Sequence, residues 1–128
     1  MKFTQATNMG LHVMTYLVQK QSQQNTSIKE LADRFQVSPT YLSKILTRLT
    51  KANLIASVPG AKGGYRIAQQ PEKLTFAMVI EALDGRPDYQ DALEGAGEQC
   101  EIAETIQTAE EQMWQYLATK RLIDLKQI

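Results

Sequence analysis

Few residues in this chain could make or break a covalent bond. It has one cysteine, Cys100, and one histidine, His12, and no pairing of a nucleophile with a base is visible. A single thiol cannot close an internal disulfide, and by itself it cannot hold zinc or an iron–sulfur cluster. The glycines of Gly60–Gly64 lie between two β-like runs, outside the strand–loop–helix setting of a nucleotide fingerprint. Enzymatic chemistry is therefore the least supported class. Chemistry for holding a polyanion is better represented. Ser38, Thr40, Tyr41, Ser43, Lys44, Thr47, Arg48 and Lys51 combine hydroxyl and cationic side chains in one short stretch, and Lys62 and Arg66 follow shortly after. Small hydroxyl and cationic groups near a helix N-terminus suit base edges in a major groove, while cations further along suit phosphates.

The elements that would position these groups can be read from spacing. Leu42, Ile45, Leu46 and Leu49 form an i, i+3, i+4, i+7 stripe over a helix expected at about Pro39–Ala52, opened by Ser38 as N-cap with proline at the first helical position. That stripe leaves the hydroxyl and cationic residues on the open side. A preceding short helix begins at Ser27-Ile28-Lys29-Glu30, which reads as a capping box. A first helix is expected over about Thr7–Lys20. Leu54–Val58 and Tyr65–Ile67 flank a Pro59–Gly64 tip and read as a β-hairpin, with Lys62 at the tip and Arg66 on the return strand, suited to a minor groove or the backbone. A fourth helix is expected from about Thr75 to Gly85, an acidic mobile loop over 86–100, and a long helix over about Glu101–Lys120. The fold class is thus mainly α with a small β-hairpin: a winged helix-turn-helix domain over residues 1–85, the loop, and a helix with a C-terminal tail over 101–128.

Charge divides along the same line. The 128 residues balance at zero net charge, but residues 1–75 carry ten Lys/Arg against three Asp/Glu and the remainder carries four against eleven. A basic half joined to an acidic half suits a polyanion partner for the first and distance from it for the second. No run approaches the roughly 18 apolar residues of a membrane span, so a cytoplasmic protein without a membrane partner is expected. The last helix carries an apolar stripe, Ile102, Ile106, Ala109, Met113 and Leu117, with Trp114 and Tyr116 beside it. An amphipathic helix at the end of a small domain needs cover for that face, from a second copy or from the chain's own core.

Several stretches resemble the bacterial IscR/NsrR/CymR family of transcription regulators. They are Val37-Ser38-Pro39-Thr40-Tyr41-Leu42-Ser43-Lys44-Ile45-Leu46, then Lys51-Ala52-Asn53-Leu54-Ile55, and Ser57 through Gly63-Gly64-Tyr65-Arg66-Ile67. The likeness extends through Ala82-Leu83-Asp84-Gly85 to the helix carrying Trp114. It implies a homodimer docking two winged helices on a roughly palindromic site in double-stranded DNA, with the Ile102-to-Leu117 stripe as dimer seam; the function expected is a sequence-specific regulator, a repressor that blocks promoter access. Two departures stand out. Cluster-binding members carry three cysteines before the dimer helix where this chain has only Cys100, so no cofactor and no metal is expected; His12, the one imidazole, reads as structural. Pro59 stands where many members have an arginine before the first wing glycine, which leaves Lys62 as the nearest cation.

Cys100 keeps three readings: an inert thiol, a redox sensor, or a remnant beside a small-molecule effector pocket lined by Phe76, Tyr89 and Trp114. Glu98, Glu101 and Glu104 disfavour a thiolate there, whereas a helix start favours one. The rival function is a protein-interaction module that docks onto a partner enzyme through the acidic half.

Overall fold

The computed structural model describes residues 3–20, 24–86 and 100–126. Helix α1 spans Gln5–Gln19, α2 Ile28–Phe35 and α3 Pro39–Lys51; strands β1 (Ile55–Val58) and β2 (Gly64–Ile67) follow, then α4 (Phe76–Asp84) and α5 (Glu101–Thr119). The expected class, a winged helix-turn-helix followed by a long helix, is what the chain adopts. Short 3-10 turns at Pro71–Lys73 and Leu122–Asp124 were not expected.

Local signals set most helix starts. The hydroxyls of Thr4, Ser27, Ser38 and Thr75 accept from the backbone N–H of Thr7, Glu30, Tyr41 and Met78, each satisfying one donor that a helix start leaves orphaned. At α2 the capping box is only half made. Ser27 Oγ accepts from Glu30 N at 3.1 Å, but the Glu30 carboxylate turns away to the Lys20 ammonium and the Tyr16 hydroxyl, both at 2.7 Å. A full charge and a phenol outbid one backbone N–H.

The four leucine and isoleucine positions of the α3 stripe are all buried. They join Val13, Met14 and Leu17 of α1, Leu31 of α2, Leu54 and Ile55 at the hairpin root, and Val79 and Leu83 of α4 in one core. Leu122, beyond α5, belongs to this core too and is fully buried. Its N–H donates to Leu74 O at 3.0 Å, and Gln19 Nε2 donates to the carbonyls of Leu125 and Lys126, both at 3.2 Å. The tail is thus packed into the helix-turn-helix body. A smaller core joins Ala77 and Ile80 of α4 to Trp114 of α5. Two of the three residues expected to line an effector pocket there are part of this packing: Trp114 is 8% exposed and Phe76 lies against the same cluster. Tyr89 and all of the expected acidic loop except Arg86 and Cys100 lie outside the described residues.

Candidate nucleic-acid interface

Helix α3 presents its polar residues as its core stripe dictates. Ser38, Thr40, Ser43, Lys44, Arg48 and Lys51 are exposed. Tyr41 differs: it is half-buried against the core, so its ring is committed to packing more than to an open face. Lys44 and Arg48 lie one turn apart, and Arg48 and Lys51 occupy the last turn. Proline at N1 and the Ser38 cap leave the first turn of α3 rigid and unobstructed.

Arg48 has an acidic neighbour. The Asp84 carboxylate, at the end of α4, accepts from the Thr4 backbone N–H at 3.2 Å and from the Thr4 hydroxyl at 2.9 Å, joining the end of α4 to the start of α1. Partial burial works to raise the Asp84 carboxyl, but the nearby Thr7 hydroxyl, the two Thr4 hydrogen bonds and the positive charge of Arg48 together hold it below the ordinary aspartate range.

The wing is held more firmly than a two-stranded hairpin. Strands β1 and β2 pair antiparallel, Ile55 opposite Ile67 and Val58 opposite Gly64. On the outer edge of β2, Tyr65 and Thr26 exchange both backbone hydrogen bonds, at 2.8 and 2.9 Å, making a third strand segment from the residues before α2. Asn25 Nδ2 also donates to the Lys62 carbonyl at 3.2 Å, tethering the tip. Gly64 sits against this seam at φ +136°, and a Cβ there would run into the Thr26 carbonyl. Glycine is the residue that permits the approach. Lys62 and Arg66 are both exposed. Spacing alone did not reveal the Thr26 bridge; the only cue is the Thr-Ser pair before α2.

A polar knot ties the wing to α1 and α2. Lys20 Nζ donates to Glu30 at 2.7 Å and to the Thr26 hydroxyl at 3.1 Å, so one ammonium touches both the helix-turn-helix and the wing's third segment. The Lys20 and Tyr16 hydrogen bonds hold the Glu30 carboxyl below the usual glutamate range, and the bond to Glu30 raises Tyr16. Arg34 lies 5.6 Å from the Tyr16 ring centre, and the Tyr16 and Phe35 rings meet edge to face at 5.9 Å.

Helix α5 shows two faces. Ala103 and Trp114 are buried, and Leu117 is half-buried against α4. Ile102 is 77% exposed, Ile106 48% and Tyr116 63%; Ala109 is exposed and Met113 half-buried. Within the expected seam, Leu117 therefore turns inward, while Ile102, Ile106 and Ala109 face out. Arg86 lies 5.8 Å from the Trp114 ring, on the α4 side. Cys100 takes the N-cap position of α5, half-exposed, with no capping bond from its side chain.

Residues 3–127 match the Rrf2 family, described as an iron-dependent transcriptional regulator. The HTH-type transcriptional regulator CymR of Bacillus subtilis is 33% identical over 85 residues, covering 66% of this chain and 62% of that protein. Protein rrf2 of Nitratidesulfovibrio vulgaris is 36% identical over 84 residues, covering 66% of this chain and 56% of the relative. Among solved structures, the global cysteine regulator CymR of B. subtilis superposes with a TM-score of 0.81 at 26% identity, over 97% of this chain and 95% of that one. For an iron-dependent family the donor set matters, and the described residues do not supply one. The whole chain has one thiol, and among the described residues no three of His, Cys, Asp and Glu come together as a metal site. No helix among the described residues is long and apolar enough to cross a membrane. With the winged helix-turn-helix, the family match over nearly the whole chain and HTH-type regulators as relatives, the chain belongs to the Rrf2 family of DNA-binding transcriptional regulators.

Proposed function

We propose that the protein is a sequence-specific, homodimeric regulator that represses by occupying a palindromic operator. The observation that carries this reading is the exposed hydroxyl and cationic face of α3 beside a wing locked to the helix-turn-helix body. Ser38, Thr40, Ser43 and Lys44 read base edges in the major groove, with Tyr41 steadying the first turn. Arg48 and Lys51 hold phosphates, and Lys62 and Arg66 reach the flanking backbone or minor groove. Ile102, Ile106, Ala109 and Met113 form the dimer seam, and Leu117 joins that seam to the monomer's own α4 packing. In role, residues 1–85 bind DNA and 101–128 dimerise. Regulation proceeds without an iron–sulfur cluster, and Cys100 stands as a candidate redox sensor.

Selection of bound fragments from random duplex DNA tests the reading. The expected product is an inverted repeat with half-sites about one helical turn apart. Recovery of no shared sequence, with affinity that follows salt alone, would sink it. The same exposed Ile102 and Ile106 also favour a second reading, docking onto a partner enzyme; a chain that sediments as a monomer would turn the choice that way.

A further inference from the structure

A cleft of about 600 Å³ opens at the root of the wing, between the end of α1, the outer edge of β2 and the turn that follows α5. Its apolar wall is Leu17, Val18, Ile67 and Ile123, and its cations are Lys20 and Arg66. The size falls in the range of small-molecule sites, and the lining mixes polar and apolar groups in about equal share, which suits a ligand that is itself amphipathic.

Three observations specify what would fit. Lys20 Nζ uses two of its N–H groups, on Glu30 and Thr26, which leaves one uncommitted. Arg66 makes no ion pair among the described residues. Since Tyr65 turns its N–H and C=O outward to Thr26, the alternation of antiparallel strands turns those of Ile67, two residues on, the same way, past the end of the Thr26 segment. The Lys20 ammonium and an edge N–H make a donor set for a carboxylate, with Arg66 at the rim of the cleft, and the aliphatic wall takes a hydrocarbon body. We propose that this cleft binds an amphipathic carboxylate. We infer also that binding is transmitted to DNA, a step that rests on the DNA-binding reading above. The walls are the wing, the helix joined to α2 through Glu30, and the segment continuous with α5, so an occupant bears on all three.

Octanoate and its neutral counterpart octanamide are suitable probes, titrated into the full chain labelled with nitrogen-15. Octanoate should shift the amide signals of Lys20, Ile67 and Ile123 saturably, with octanamide about tenfold weaker for want of the charge. Ile123→Glu, at a position 38% exposed, should keep the parent's circular dichroism and its DNA affinity, yet weaken octanoate about tenfold. Lys20→Gln should weaken octanoate and leave octanamide alone. Absence of saturable shifts, equal binding of the two probes, or octanoate binding unchanged in Ile123→Glu would overturn the site. Fluorescence anisotropy with a selected operator then separates the second claim. Saturating octanoate should change the parent's DNA affinity about fivefold and leave Ile123→Glu unaffected. Octanoate binding without any such change would overturn the coupling alone, whereas octanoate binding by a protein that holds no DNA would count against the DNA reading and leave the site standing.

Discussion

Lys44 and Arg48 stand one turn apart on the open face of α3, with different surroundings. Lys44 lies in the first half of the helix, the part assigned to base edges in the proposed function; Arg48 lies in its last turn beside Asp84. Lys44→Ala should cost about 1–3 kcal/mol on the selected site and relax base preference, as measured by competition among operator variants. Arg48→Ala should weaken all duplexes alike and flatten the salt dependence by about one unit. Glu30 belongs to stability. Its carboxyl is held low by Lys20 and Tyr16 in the folded chain, so on acidification the unfolded chain takes the proton first. The stabilisation is complete above the ordinary glutamate range and is lost as pH falls through the lowered folded-state value. Its side chain is 42% exposed, so the two bonds contribute only about 1 kcal/mol after screening. Urea unfolding of Glu30→Gln should therefore show a loss of about that size at neutral pH, shrinking as the pH falls.

Among the elements, the wing makes the sharpest claim. Gly64→Ala would place a methyl group against the Thr26 carbonyl at a backbone angle that L residues rarely adopt. The Tyr65–Thr26 pairing must then open, at a cost of about 1–3 kcal/mol. Operator affinity should fall while the circular dichroism of the helices is retained; an unchanged affinity would show that wing placement does not matter to binding. This element also shows what the sequence made legible. The start and the buried side of helix α3 could be read, since its cap, its proline and its stripe lie within a few residues of one another. The hairpin was legible from β-branched runs around glycine. The third strand segment was not, because Thr26 is recognised only by Tyr65, a partner far along the chain. Tyr41 was placed on the open face for a related reason: periodicity gives a direction, but a large ring at the border of the stripe packs on whichever neighbour tertiary structure supplies. The Glu30 side chain left its expected cap because Lys20 and Tyr16 come to it from another helix.

At the scale of the whole molecule, the chain has apolar residues left over. Ile106 is 48% exposed in the single chain, so Ile106→Asp should leave the monomer folded and place a charge in the proposed seam. Sedimentation should then show monomers, with most operator affinity lost because each holds only one half-site; a folded variant that remains dimeric would move the seam elsewhere. Periodicity marked the apolar side of α5 but could not divide it between Trp114, which packs inward on α4, and Ile102 and Ile106, which do not. The seat of Leu122 has a consequence for synthesis. A chain made from its N-terminus carries α1 to α4 well before residue 122 is joined, and until then the floor between Leu74 and α1 is missing a fully buried side chain. The helix-turn-helix half therefore completes its core only after α5 has been made, so the first half of the chain waits on the last of it before its packing is finished.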